Sequence, residues 1–190
     1  MLAKLRLQYD TYLMNQVVPI SEIESFNQIA TDMSELLVNG ENQDIADGFP
    51  ATVERYTAEH DEVVTNLEMA QSRFEIGKHE QFIVFAGERA VGLSVITSNL
   101  DIPEGIDPTW PNISGFICNP FRGRGLGRLS IETRMDVVRR DFESHAWTFV
   151  KDDNVISEHL VLGVGFHKTD RKIEGWDSHH LFLFDEGAST

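Results

Sequence analysis

Three glycines at alternate positions, in the segment Arg122-Gly123-Arg124-Gly125-Leu126-Gly127, constrain this 190-residue chain more than any other feature. The segment follows a β-rich run, 113–118, which Pro120 ends, and it precedes a run with apolar residues at helical spacing. The pattern therefore predicts a strand, a glycine-rich turn and a helix that Gly125 opens. Such a turn adopts positive φ angles at little cost and lets ligand atoms approach the backbone, because glycine has no Cβ atom.

The predicted turn is suited to an anion such as a diphosphate. The start of a helix presents backbone N–H groups and the positive end of the helix dipole. Arg122, Arg124 and Arg128 add local positive charge, and the alternative is a tight turn with solvated arginines. The spacing differs from the kinase-type phosphate loop and from the dinucleotide fingerprint Gly-x-Gly-x-x-Gly, so it indicates neither.

The rest of the chain changes between helical and β-type periodicity. Residues 2–9 indicate an edge strand, Ser21 to Leu37 an amphipathic helix with capping-box spacing at Ser21 and Glu24, and residues 40–50 a loop. The other predicted elements, in chain order, are a helix over 63–74, a hairpin of strands 81–86 and 90–98, a strand over 147–150, a helix over 154–164 and strands over 166–173 and 180–184. This order predicts a mixed sheet with helices on its faces.

Two motifs in this order resemble a known family. Arg122-x-x-Gly125-x-Gly127, after a strand that ends in Cys118-Asn119-Pro120, resembles the acetyl-CoA signature of the GNAT superfamily of acetyltransferases. Asn154-Val155-Ile156-Ser157 then opens a helix that closes on Gly165-Phe166, as in the family. The resemblance implies an α/β fold of the α+β type, with a central mixed, mostly antiparallel sheet of about six or seven strands flanked by helices. It implies one GNAT-like domain over 1–190, with a cofactor core at about 81–184 after an N-terminal strand and two helices in 1–76.

The resemblance also implies where acetyl-CoA binds. Strands 113–118 and 147–150 would splay apart, with the pantetheine arm between them and the diphosphate on the glycine turn. Asn154 and Ser157 would line the arm or the thioester, and helix capping is a compatible role for Asn154. The implied cofactor-binding residues are Phe116, Cys118, Arg122, Gly123, Arg124, Gly125, Leu126, Gly127, Arg128, Asn154 and Ser157.

The sequence departs from the family at the positions of the acid and the base. Val161 stands where many members have the tyrosine that protonates the leaving thiolate, and Asn112 stands about where some have a glutamate base. Pro120-Phe121-Arg122 is also one residue shorter than the usual spacing. Polar alternatives are Ser114, His145 and His159, together with the loop carboxylates Asp101, Glu104 and Asp107. We predict Ser157 and His159 as the catalytic residues.

The single cysteine, Cys118, excludes an intrachain disulfide framework. Its place at the end of an apolar strand predicts a packing role rather than a nucleophilic one. His179 and His180 are adjacent and would point to opposite faces of a strand, so we predict no metal site. We recognise no export signal or membrane span, and cytoplasmic location is the expectation.

These observations predict an N-acetyltransferase that passes an acetyl group from acetyl-CoA to a primary amine by direct attack. Backbone N–H groups near Cys118 would hold the oxyanion. The formal charge of −15 favours a cationic small molecule, or a peptide or protein amine, over nucleic acid and anionic membranes. A homodimer is an open alternative. The rival functions are a degenerate acyl-CoA-binding sensor or interaction module without catalysis, and a turn that binds another phosphate ligand.

Overall fold

The computed structural model describes residues 15–38, 41–72, 79–98, 102–171 and 178–186. These residues form seven strands and six α-helices. The strands are β1 (Gln16–Pro19), β2 (His79–Ala86), β3 (Arg89–Thr97), β4 (Asn112–Ile117), β5 (His145–Lys151), β6 (His167–Lys168) and β7 (His179–Asp185). The helices are α1 (Asn27–Val38), α2 (Gln43–Gly48), α3 (Pro50–Tyr56), α4 (His60–Ser72), α5 (Leu126–Asp141) and α6 (Val155–Gly163).

The strands form one sheet in the order β1-β2-β3-β4-β5-β7-β6. The β1–β2, β5–β7 and β6–β7 pairs are antiparallel, whereas β4 and β5 are parallel. A tight turn joins β2 to β3, and Gly87 takes a φ of 64° there. The predicted α+β class and the mixed, mostly antiparallel sheet are confirmed.

The described residues group into two compact units. The first comprises 15–38, 41–72, 81–93 and 115–129, and the second comprises 79–80, 94–98, 102–114, 130–171 and 178–186. That the chain forms a single domain stays a prediction.

The first unit has a core of helix residues and residues of β2. Met33 of α1, Tyr56 of α3 and Val63 of α4 are fully buried, and Phe82 of β2 is buried too. Asp32 is buried among them, and its carboxylate accepts a hydrogen bond from the Ala90 amide at 2.9 Å. A buried polar group of this kind needs such a partner.

The core of the second unit lies under α5, β5 and β7. Ile131, Met135 and Val138 recur at the three- and four-residue spacing of one helix face, and all are buried. Trp147 and Leu181 pack with Ile106 of the loop before β4, and the partly buried side chains against them are Ile102, Trp110, Phe149 and Leu183. This loop is therefore held against the sheet by apolar contacts.

Three of the sequence predictions are wrong in part. The first helix begins at Asn27 rather than at Ser21, because Ile20–Glu22 form a 3-10 turn that contains the supposed capping residue. Residues 40–50 are not a loop throughout: α2 occupies Gln43–Gly48, and Pro50 opens α3, a position where its missing N–H is harmless. Strand β6 spans only His167–Lys168 within the described part of the predicted run.

The other predicted elements agree with the structure within a few residues, but the described part of 1–76 contains four α-helices, α1 to α4, where two were expected. The strand predicted at 2–9, the end of the helix predicted over 63–74, and residues 172–173 lie outside the described residues. The short strand β1, at Gln16–Pro19, was not predicted. Its four residues are too few to show a period.

Candidate functional site

The glycine turn joins β4 to α5 as the sequence predicted. Gly123 and Gly125 have φ angles of 76° and 81°, which other residues rarely adopt. A Cβ atom at either position would meet no atom of the described chain within 4 Å. Glycine is therefore required there by the backbone conformation, and the space in front of the turn is open. Leu126 begins α5, and the Leu129 amide donates to the Gly125 carbonyl at 3.0 Å.

Arg122 is fixed by two contacts within its own unit. Its Nε donates to the Ile117 carbonyl at the end of β4 at 2.7 Å, and its Nη1 lies 2.7 Å from Oδ2 of Asp44 on α2. The guanidinium is therefore held beside the turn, and the Asp44 carboxylate already pairs with one of its N–H groups. Arg124 is exposed and lies over the Phe121 ring, 5.2 Å from its centroid.

The segment before α2 clamps the residues that precede the turn. Asn42 is buried; its Nδ2 donates to the Leu36 carbonyl at 2.6 Å and its Oδ1 accepts from the Asn119 amide at 2.7 Å. The Asn119 side chain in turn donates to the Glu41 carbonyl at 3.0 Å. The rings of Phe49 and Phe116 are 5.5 Å apart. These contacts were not predicted, because residues 40–50 were expected to form a loop.

Cys118 is fully buried, as predicted for a packing residue. Burial raises the pKa of its thiol to about 12, so the nucleophilic thiolate is absent at neutral pH. Its backbone N–H donates to the Val91 carbonyl at 2.8 Å. The Cys118 N–H is therefore engaged with β3, and the prediction that backbone N–H groups near Cys118 hold an oxyanion stays a prediction.

Asn112 connects β4 to β5. It is the register partner of Trp147 in this parallel pair, and its Nδ2 lies 3.4 Å from the Trp147 carbonyl. The Trp147 amide donates to the Pro111 carbonyl at 3.0 Å, and the Thr148 hydroxyl donates to the Ile113 carbonyl at 2.7 Å. Asn112 therefore has a structural role, and the splay of the two strands beyond it stays a prediction.

A buried arginine supports the same part of β4. Arg134 of α5 donates through Nη1 to the Ser114 carbonyl and through Nε to the Ser130 carbonyl. Burial lowers the pKa of its guanidinium to about 10. The Ser114 main chain is thus held by a positive group, a contact that no sequence motif indicated.

Asn154 caps α6. Its Oδ1 accepts a hydrogen bond from the Ser157 amide at 3.1 Å, so the capping role is confirmed. Ser157 is half-buried, whereas His159 and Asn154 are exposed. Val161, at the position of the family's tyrosine, is buried. The catalytic roles of Ser157 and His159 stay predictions.

The other polar candidates have partners of their own. The ring of His145 stacks on Trp110 with centroids 4.6 Å apart, and its Nε2 lies 3.2 Å from Oδ1 of Asp185. Asp107 accepts hydrogen bonds from the hydroxyl and the amide of Thr109, which lower the pKa of its carboxyl. Asp101 lies outside the described residues. These contacts stabilise the loop before β4, and they leave the acid and base of the reaction open.

No family model and no curated protein matches the sequence. Solved structures do match. A ribosomal alpha-N-protein acetyltransferase, RimL, in complex with coenzyme A is 15% identical, with 89% of this chain and 96% of that chain covered and a TM-score of 0.59. A microcin self-immunity acetyltransferase, MccE, with acetyl-CoA and AMP is 14% identical over 89% and 91%, with a TM-score of 0.59. The putative acetyltransferase yncA of Salmonella typhimurium, with acetyl-CoA, is 14% identical over 94% and 97%, with a TM-score of 0.57.

The chain has the GNAT acetyltransferase fold. Within this GNAT fold, the glycine turn lies between β4 and α5, and the Asn154 cap lies between β5 and α6. The two sequence motifs therefore stand in the chain order that the resemblance implied. Among the described residues no three His, Cys, Asp or Glu side chains are grouped to hold a metal ion. None of the described helices has the length and hydropathy needed to cross a membrane.

Proposed function

We propose that the protein transfers an acetyl group from acetyl-CoA to a primary amine by direct attack. One observation carries the proposal: two glycines with positive φ open the 16-residue helix α5 in a chain of the GNAT fold. The start of a helix this long attracts an anion, and the missing Cβ atoms leave room for phosphate oxygens. The similar structures that hold acetyl-CoA or coenzyme A support the same cofactor here.

The residues around the turn fit a diphosphate. Arg122 and Arg124 lie beside open glycine backbone in a chain with a formal charge of −15. We propose that the backbone of 123–128 binds the diphosphate and that Arg122 contributes charge. We further propose that the main chain near Phe116, and the side chains of Asn154 and Ser157, contact the arm or the thioester. Acetyl-CoA when bound supplies the acyl group as a thioester.

A melting experiment tests whether the turn binds acetyl-CoA. At about a hundred times its Kd, a ligand stabilises the folded protein by about 2.7 kcal/mol, which raises the Tm of a chain of this size by roughly 5–11 °C. Gly125→Asp places a negative charge at the turn and should abolish the rise. Ser25→Asp, on an exposed residue before α1, adds the same charge elsewhere and should keep it. Equal rises in all three proteins would contradict binding at the turn.

A panel of amines tests catalysis. The strong negative charge favours polyamines, aminoglycoside-like cations and other cationic small molecules, with peptide and protein amines as the second class. Amine-dependent release of the coenzyme A thiol identifies the acceptor. We propose a cytoplasmic location, with which the single cysteine of the sequence is compatible.

The second candidate function is an acyl-CoA-binding module without catalysis. Val161 favours it, because this buried aliphatic residue cannot donate a proton to a leaving thiolate. This function predicts a rise in Tm with acetyl-CoA and no thiol release with any amine of the panel.

A further inference from the structure

One aromatic ring beside the glycine turn contacts two arginines. The guanidinium carbon of Arg124 lies 5.2 Å from the centroid of the Phe121 ring. The guanidinium carbon of Arg89, at the start of β3, lies 5.8 Å from the same centroid. All three residues belong to the first compact unit. The negative face of an aromatic ring attracts cations at distances up to about 6 Å, so Phe121 brings two positive groups together beside the turn.

The arginines of this region differ in what already neutralises them. Nη2 of Arg89 lies 3.0 Å from Oε2 of Glu35 on α1. Nη1 of Arg122 lies 2.7 Å from Oδ2 of Asp44 on α2. Arg124 has no carboxylate partner within the part of the chain that the structure describes, and its side chain is exposed. Of these three arginines, Arg124 therefore keeps its full charge for a ligand.

The surroundings of Arg124 are open to a ligand that lies on the turn. Its two neighbours, Gly123 and Gly125, have positive φ angles, and a Cβ atom at either position would meet no atom of the described chain within 4 Å. The contact with Phe121 restricts the rotation of the long Arg124 side chain. Less side-chain entropy is then lost when the guanidinium binds an anion, so the side chain is partly preorganised.

Coenzyme A carries two different anionic groups. Its diphosphate joins the pantetheine arm to a ribose, and the same ribose carries a separate phosphate monoester. A phosphate monoester has a charge of about −1.5 to −2 at pH 7, and the planar guanidinium matches its oxygens with two parallel donors. The proposed function places the diphosphate on the backbone of 123–128. Because one ribose ring separates the two groups, the monoester then lies near the turn as well.

We propose that Arg124 binds the ribose phosphate of coenzyme A and that Phe121 is its positioning residue. This inference rests on the proposed function. Arg89 adds positive charge at the same ring, and Glu35 weakens that charge. The turn thus distinguishes coenzyme A and its thioesters from dephospho-coenzyme A, which lacks only this phosphate. Arg124 is a specificity-determining residue, since the phosphate that it binds takes no part in the bonds that change.

The test compares the Kd of coenzyme A with that of dephospho-coenzyme A by isothermal titration. Exposed ion pairs between single charges change affinity by up to about fivefold, and the ribose phosphate carries nearly two charges. The wild type should therefore bind coenzyme A at least about fivefold more tightly than dephospho-coenzyme A. In Arg124→Gln this ratio should fall to about twofold or less, while the Kd of dephospho-coenzyme A stays within about twofold of the wild-type value.

Three further variants complete the experiment. Phe121→Leu keeps an apolar side chain without the aromatic ring, and it should lower the ratio by about twofold. Arg124→Lys keeps the charge without the planar guanidinium, so it should retain part of the ratio. Arg140→Gln is the control, because Arg140 is an exposed arginine in the last turn of α5 and pairs with Asp141. It should leave the ratio unchanged.

Two kinds of result would overturn the role of Arg124. One is an equal Kd for both ligands in the wild type, or a wild-type ratio in Arg124→Gln. The other is a loss of affinity by the same factor for both ligands in Arg124→Gln, which would place Arg124 on the diphosphate. If the wild type binds neither ligand, the proposed function itself is wrong.

Discussion

Replacing Asp44 with asparagine should strengthen the binding of acetyl-CoA. The Asp44 carboxylate lies 2.7 Å from Nη1 of Arg122. It therefore neutralises a guanidinium that, in the proposed site, would bind the diphosphate. Binding of the diphosphate must either displace this carboxylate or tolerate its repulsion. Asparagine has nearly the same shape without the charge, and Arg122 keeps its second contact, to the Ile117 carbonyl.

The size of the effect follows from the exposure of the pair. The side chains of Arg122 and Asp44 are 37% and 60% exposed. Ion pairs in such surroundings contribute about 0.2–1 kcal/mol. Because RT is about 0.59 kcal/mol, the Kd of acetyl-CoA should fall by about 1.4- to 5-fold in Asp44→Asn. The free energy of unfolding without ligand should fall by the same small amount.

Isothermal titration at about 0.1 M and 1 M salt measures this change. The gain should shrink at high salt, because the Debye length falls from about 10 Å to about 3 Å. Asp47→Asn is the matched control: Asp47 is also on α2, is exposed, and accepts a hydrogen bond from the Gln43 side chain at 2.9 Å. An equal gain in both variants would show a general effect of net charge. Weaker binding in Asp44→Asn would show that Asp44 positions Arg122 for the ligand, and would refute the reasoning.

Three further changes test the glycine turn, the contacts of Asn42 and a partly buried carboxylate elsewhere in the fold. Gly125→Ala should lower the Tm without ligand by roughly 2–8 °C, because a left-handed φ of 81° costs alanine about 1–2 kcal/mol; an unchanged Tm would show that the turn relaxes. Asn42→Ala should destabilise by about 1–3 kcal/mol for each of the two backbone groups left unsatisfied, as measured by urea unfolding. Asn66→Ala, at a half-buried position within α4, is the control and should not. Glu80→Gln should raise the Tm at pH 8, since burial and then the Asp141 carboxylate raise the pKa of the Glu80 carboxyl. A raised folded-state pKa means that the wild type loses stability as the pH rises above the unfolded value, so this gain should vanish below about pH 4.

The local features of the site were predictable from sequence. Gly123 and Gly125 indicate a turn with positive φ angles, which other residues rarely adopt. Asn154 is a preferred capping residue at the start of an apolar run. Each signal lies within a few residues of the structure that it determines. The capping-box spacing at Ser21 and Glu24 misled because Ser21 lies inside the 3-10 turn Ile20–Glu22, and the helix begins only at Asn27.

The contacts between distant segments were not predictable. Asp44 meets Arg122, and Asp152 meets His180, only because strands and helices bring them together. The hydrogen bond of the Cys118 amide depends on which strand lies next to β4. No period or motif in one sequence records these pairings, so the sequence indicated the ligand of the turn better than it indicated the chemistry around it.

The Asn42 clamp has a consequence for how the protein acquires its binding turn during folding. Asn42 and Asn119 are 77 positions apart, so the hydrogen bond between them closes a long loop whose entropy must be lost first. The segment from β4 through the turn to α5 contains every glycine of the motif. The hydrogen bonds that hold Asn119, just before the turn, come from Glu41 and Asn42, which are synthesised much earlier. A fragment that begins at β2 would contain both sequence motifs without the clamp, and we expect it to bind acetyl-CoA more weakly than the full chain.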